Sequence, residues 1–226
     1  MSWLRDVLVV YARVLRRALD LTVKHWWLGL VAIGYQAVLL VIALIAGQLG
    51  IVGGFLMTLA MAALISSWMV LVGHLVRWGR ATSRDLPESF VVYLGDVVTF
   101  LFLLWVLRYV AAIAFADLPF AAIVFHLALF VFLNAVPEQI YLGGHAGVAV
   151  FVESYRFVGA HWIEWLPATA LLVLLLVVTS AVPFMPLALV LGGVALAFIS
   201  IARGLLFLEL TTSSRRAREF QRRAAG

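Results

Sequence analysis

Six segments of this chain are each long and apolar enough to cross a membrane: approximately 26–46, 51–76, 97–116, 119–140, 164–182 and 184–208. A crossing helix needs about 20 mostly apolar residues. The breaks between segments are specific. Gly47, Gln48 and Gly50 part the first two, Asp117 and Pro119 the third and fourth, Pro183 and Pro186 the fifth and sixth. A proline in the first turn of a helix forfeits no hydrogen bond, so these prolines read as helix starts. A β-barrel would need segments of about ten residues alternating polar and apolar. Runs such as Leu171–Val178 are apolar at every position, so helices are expected.

Composition points the same way. Hydrophobic residues make up 65% of the 226 and charged residues 12%, against roughly 45–50% and about 25% in a soluble domain. A soluble chain this short would lack the polar surface to cover so much apolar material. The absence of Cys excludes a disulfide scaffold, and the apolar content excludes disorder.

Basic residues orient the spans. Of the 16 Lys and Arg, all but Arg108 fall within 1–25, 77–96, 143–163 or 203–226, while the turns at 47–50, 117–118 and about 183 carry none. The positive-inside rule then places both termini and the two longer loops in the cytoplasm. Charges at 5, 6, 13, 16, 17 and 20 interrupt the N-terminal apolar residues, so no signal peptide is expected.

Segment 2–20 reads as a helix lying on the membrane. At 100° per residue Arg5, Asp6, Arg13, Arg16, Arg17 and Asp20 fall within an arc of about 120°, and a basic face of that kind marks an interfacial helix. Arg84, Asp85, Glu88, Ser89 and Asp96 share an arc before the third span, with Pro87 in the first turn and Ser83 or Asp85 as the cap. Segment 146–162, with Glu153, Arg156 and His161, is a weaker third case. Lys24-His25-Trp26-Trp27 and Ala160-His161-Trp162-Ile163 correspond, each just before a span where Trp favours the headgroup layer. The expected fold is therefore an all-α polytopic membrane protein. It has six transmembrane helices as three hairpins, each preceded by an interfacial amphipathic helix, with both termini cytoplasmic. One domain covers 1–210, with repeat-like units of about 1–78, 79–142 and 143–210, and 211–226 is a basic tail.

This layout resembles a group of bacterial six-span inner-membrane proteins that includes the membrane domain of some glycerophosphodiester phosphodiesterases and its stand-alone relatives. The segments that carry the resemblance are 79–89, from Gly79-Arg80 through Leu86-Pro87-Glu88-Ser89, and Glu153-Ser154-Tyr155-Arg156-Phe157 with Trp162. It implies a multi-pass protein of the bacterial cytoplasmic membrane. No catalytic residue comes with it, because the phosphodiesterase domain has no counterpart here. Three hairpins with surface helices are also a feature of mitochondrial carriers, but their proline–acid–basic signature at the ends of odd spans is missing.

Ionisable groups inside a membrane are costly and are the default functional candidates. Arg108 lies roughly 13 Å from the outer end of the third span at 1.5 Å per residue, and His126 lies at similar depth on the fourth. The two could line one polar cavity, with Asp117 able to neutralise Arg108. The blander possibility is that Arg108 snorkels to headgroups and His126 is a hydrogen-bonded core residue. At the other end of the fourth span, Asn134, Pro137 and Glu138 suggest a kink or the polar mouth of a cavity, Glu138 pairing with Arg156 or Arg203. The alternative is a plain helix terminus closed by Gly143-Gly144. Gln36, Ser66 and Ser67 read as helix–helix glue, and Arg203 and Glu209 as interface residues. Arg13, Arg16, Arg17, Arg215, Arg216, Arg218, Arg222 and Arg223 are the expected contacts to anionic headgroups.

No zinc-protease, nucleophile-elbow or phosphate-loop motif is present, and the five His are scattered. No metal, cofactor or catalytic residue is expected, and an intramembrane hydrolase ranks last. The first functional expectation is a non-enzymatic scaffold or accessory subunit of a membrane complex. The alternative is a transporter or lipid-handling protein with its polar site around Arg108 and His126. Expected partners are membrane lipids, their anionic headgroups, and a membrane-protein partner or second copy. The basic balance reports orientation, not a nucleic acid.

Overall fold

The computed structural model describes residues 2–212, which form helices and no strands. The expected lipid contacts at Arg215, Arg216, Arg218, Arg222 and Arg223 lie outside the described residues. The helices are α1 (Ser2–Lys24), α2 (Trp27–Ala46), α3 (Gly50–Trp78), α4 (Leu86–Val92), α5 (Leu94–Ala114), α6 (Pro119–Leu133), α7 (Val136–Tyr141), α8 (Ala149–Ser180) and α9 (Met185–Thr212). Counting α6 and α7 as one unit, six are long and apolar enough to cross a membrane.

Helices α3 and α9 form the centre. α9 packs against α1, α2, α3, α7 and α8, while α3 packs against α2, α4, α5, α7 and α9. In lipid no hydrophobic force draws helices together, so close backbone approach has to supply the contact. Gly193 of α9 shows it: a Cβ there would lie 2.7 Å from Ile33 Cγ1 and 2.8 Å from the Gly29 carbonyl oxygen of α2. Serines supply the second kind of glue, as the sequence suggests. The Ser66 hydroxyl donates to the Ser89 carbonyl and accepts from the Tyr93 amide. Ser67 bonds both Tyr35 and the Ser89 hydroxyl at 2.5 Å. Ser89 is thus buried against α3 and does not share the polar arc expected of it. Asp85, one of the two caps expected, stands at the N-cap of α4, while its side chain accepts from the Thr82 amide in a box that opens the segment.

α1 carries three stripes. Val10, Val14 and Ala18 are buried, on the side where α1 packs against α9. Arg13, Arg16 and Arg17 are exposed on a second stripe, with Arg13 Nη1 3.1 Å from Glu209 Oε1. Leu8, Leu19 and Val23 leave a third, apolar stripe uncovered. The turn at His25-Trp26 separates α1 from α2, and His161 breaks the α8 backbone at φ −123°, ψ 23°. The corresponding His-Trp pairs therefore both stand at a change of helix direction. The part of α8 before His161 is thus a helix of its own, joined to the fifth span across this kink and falling within the expected segment 146–162.

Two prolines set up the site. Pro137 cannot donate a backbone bond, so the fourth span ends at Leu133 and restarts at Val136. The freed carbonyls are met by side chains, as a low-dielectric setting requires. Asn134 Nδ2 donates to the Val131 oxygen, Ser154 Oγ to that of Phe132, and Arg203 Nη2 to that of Asn134 itself. Pro167 interrupts α8, and there the Tyr11 hydroxyl from α1 stands in the ladder. It donates to the Glu164 carbonyl and accepts from the Ala168 amide at 3.0 Å.

Candidate functional site

Phe100, Leu104 and Arg108 recur every four residues and so share one stripe of α5. His126, Leu129, Phe130, Leu133, Asn134 and Pro137 form the matching stripe down α6 and into α7. With Leu172 of α8, these two stripes border a partly open cavity of about 360 Å³. Its volume is in the usual range for a small-molecule or lipid site. The walls are apolar between two polar ends, Arg108 with His126 at one and Asn134 at the other.

Arg108 is exposed and His126 half-buried. His126 Nδ1 lies 2.7 Å from the Ala122 carbonyl. A carbonyl only accepts, so Nδ1 carries the hydrogen, leaving Nε2 as the ring nitrogen without that tie. No carboxylate lines the cavity. Asp117 sits exposed in the turn between α5 and α6 and forms no ion pair with Arg108 among the described residues. The site is thus cationic, mostly apolar and uncompensated from within.

Behind Asn134 lies a buried polar network. Arg203 Nε is 2.8 Å from Glu138 Oε1 and its Nη2 is 3.1 Å from Oε2, a two-point grip. Both side chains are nearly sealed, at 6% and 4% exposure. The guanidinium carbon stands 4.7 Å over the Trp165 ring. Trp165 Nε1 donates to Asn134 Oδ1 at 2.6 Å, and Thr169 Oγ1 reaches the same oxygen at 3.3 Å. Asn134 is therefore shared: it lines the cavity on one side and is held by α8 and α9 on the other. Arg203 Nη1 is buried without a hydrogen-bond partner.

The sequence treated Arg108, His126 and Asp117 as one candidate group and Asn134, Pro137 and Glu138 as another. The structure regroups them. Arg108, His126, Asn134 and Pro137 line one cavity, Asp117 stays outside it, and Glu138 takes Arg203 as its partner. Arg156 pairs instead with Glu153 at 2.6 Å. Arg203 is a buried structural cation, not an interface residue. Its position inside the apolar run 184–208 was the available signal, the same signal that singled out Arg108. Trp165, Thr169 and Tyr11 carried no such mark. Outside the spans, burial pushes the Tyr11 phenol up to about 12, against a lesser opposing pull from its bond with Ala168. Among the described residues, no three His, Cys, Asp or Glu side chains come together to hold a metal.

No protein-family model, no curated protein and no solved structure matches this chain.

Proposed function

We propose that this chain is a non-enzymatic multi-pass membrane protein that handles an anionic lipid, seating the headgroup at Arg108 and His126. The carrying observation is the cavity itself, with two cationic-capable side chains at one end, apolar walls, and no carboxylate to compete for them. An anionic headgroup would neutralise Arg108 where the protein does not. We read the six spans as three hairpins with both termini cytoplasmic, in a bacterial inner membrane, on the strength of the basic loops. The exposed apolar stripe of α1, beside exposed Arg16 and Arg17, supports an interfacial role for that helix.

The test is native mass spectrometry of lipid retained through purification in mild detergent. A charge-assisted hydrogen bond contributes about 1.5–3 kcal/mol, so Arg108→Leu should weaken retention of an anionic phospholipid by about tenfold to a hundredfold. His126→Leu should have a smaller effect in the same direction. Unchanged retention in a folded Arg108→Leu protein would overturn the proposal.

One observation favours the scaffold reading as a second role. Phe102, Trp105 and Tyr109 stack along the uncovered side of α5, with centroids 6.3 and 5.5 Å apart. Trp105 lies near the middle of the helix, away from the headgroup layer that Trp prefers, which suits contact with a neighbouring transmembrane helix. Cross-linking in membranes from Trp105 should capture a protein neighbour; capture of lipid alone would remove this reading.

A further inference from the structure

A second cavity, of about 400 Å³, lies between α2, α8 and α9. Its lining includes Gln36, Leu175, Leu189, Gly192 and Leu196, and no charged side chain. The Thr179 hydroxyl in its wall is already bonded to the Leu175 carbonyl at 2.8 Å. Leu172 lines both this cavity and the cationic one. A third apolar groove, between α2 and α3, shares no lining residue with either. The junction at Leu172 is therefore a property of these two cavities and not of every groove on the surface.

Depth matters as well. Leu172 is eight residues from the end of α8, Arg108 six from the end of α5 and His126 seven from the start of α6, or about 12, 9 and 10 Å at 1.5 Å per residue. A short turn joins α5 to α6 at these ends, and another joins α8 to α9. By this count Leu172 and the cationic pair stand at similar distances from the ends of their helices. Leu104 and Phe100 continue the first cavity's lining one and two turns from Arg108, Gln36 lines the second, and Leu172 stands in the wall of both.

We infer that the two cavities are two lobes of one site for a two-chain anionic lipid, with the headgroup on Arg108 and His126, one acyl chain in each lobe, and Leu172 as the saddle between them. This rests on the lipid-handling reading above. It adds the class of lipid and assigns Leu172 the role of separating the chains. Charge decides the orientation. The positive groups are all in the first lobe, and the second offers only apolar walls, an amide and a satisfied hydroxyl.

The experiment uses the full chain in detergent with a phosphatidylglycerol bearing a diazirine at the far end of each acyl chain. After illumination the labelled residues are mapped by peptide mass spectrometry. Two clusters are expected, one around Leu104, Leu129 and Leu133, the other around Gln36, Leu196 and Ile199, both lost in Arg108→Leu. Leu172→Trp should lose the second cluster and keep the first, whereas Leu172→Ala should keep both and strengthen the second. Labels confined to the first cluster would overturn the two-lobe site and leave the headgroup reading standing. A second cluster untouched by both Leu172 variants would do the same. Labels that persist in Arg108→Leu would overturn the headgroup reading, and the two-lobe site with it.

Discussion

Replacing Arg203 with Leu removes five interactions at once. The Nε and Nη2 bonds to Glu138 go, at 2.8 and 3.1 Å, together with the Nη2 bonds to the Asn134 carbonyl and side-chain oxygen and the stacking over Trp165. What is left behind matters more than what is lost. Glu138 is a carboxylate at 4% exposure with no counter-charge, and stranding one partner of a buried pair costs about 3–5 kcal/mol. The Asn134 carbonyl, at the break between α6 and α7, is orphaned too, which costs about 1–3 kcal/mol on its own. Arg203→Leu should therefore sit at or above the upper part of the 3–5 kcal/mol range. Replacing both residues, Glu138→Leu with Arg203→Leu, removes the stranded charge and leaves only the orphaned carbonyl, about 1–3 kcal/mol. The double variant should thus be more stable than the single one. The assay is reversible unfolding in mixed micelles of dodecyl sulfate and a mild detergent, followed by tryptophan fluorescence, for all members of the double-mutant cycle. A double variant as unstable as the sum of the singles would refute the argument, because it would mean that the charges do not depend on one another.

Three further outcomes follow from the same geometry. Tyr11→Phe removes the hydroxyl that bridges Glu164 and Ala168 across Pro167, so the Ala168 amide should lose protection in hydrogen exchange while amides near the α8 C-terminus keep theirs. The Tyr11 phenol also predicts a pH dependence. It ionises near 10 when unfolded and holds its proton to about 12 when folded, so its contribution is complete below 10 and is lost as pH rises toward 12. An unfolding midpoint followed over that window should fall more steeply in the wild type than in Tyr11→Phe, and parallel curves would contradict it. Gly193→Ala should destabilise by about 1–3 kcal/mol through overpacking against Gly29 and Ile33, whereas Gly192→Ala meets nothing closer than 3.7 Å and should be near neutral in the same unfolding assay.

Much of the candidate site was legible before folding. Arg108 stood out because a charge in an apolar run is rare, and His126 at similar depth on the next span was paired with it. Pro137 announced the break in the fourth span for an equally local reason, its missing N–H. The partner of Glu138 was not legible in the same way. Arg203 is 65 residues away, and both it and Arg156 were within reach of a one-dimensional reading. The arc around Ser89 failed for a related cause: a helical wheel sorts residues by polarity, but two serines on α3 made that polar side chain worth burying.

By itself the sequence determined the membrane class, the six apolar helices, and the break at Pro137, though not the one at His161. Each follows from local chemistry: apolar length, proline's lost donor, and the cost of an unpaired backbone group in lipid. Tertiary structure decided which polar groups meet. It joined Arg108, His126 and Asn134 around one cavity, sent Glu138 to Arg203, and set Leu172 between two cavities. Those outcomes depend on which stripes of which helices face each other, and helices packed in lipid settle that by close backbone approach and side-chain bonding between residues far apart in the chain.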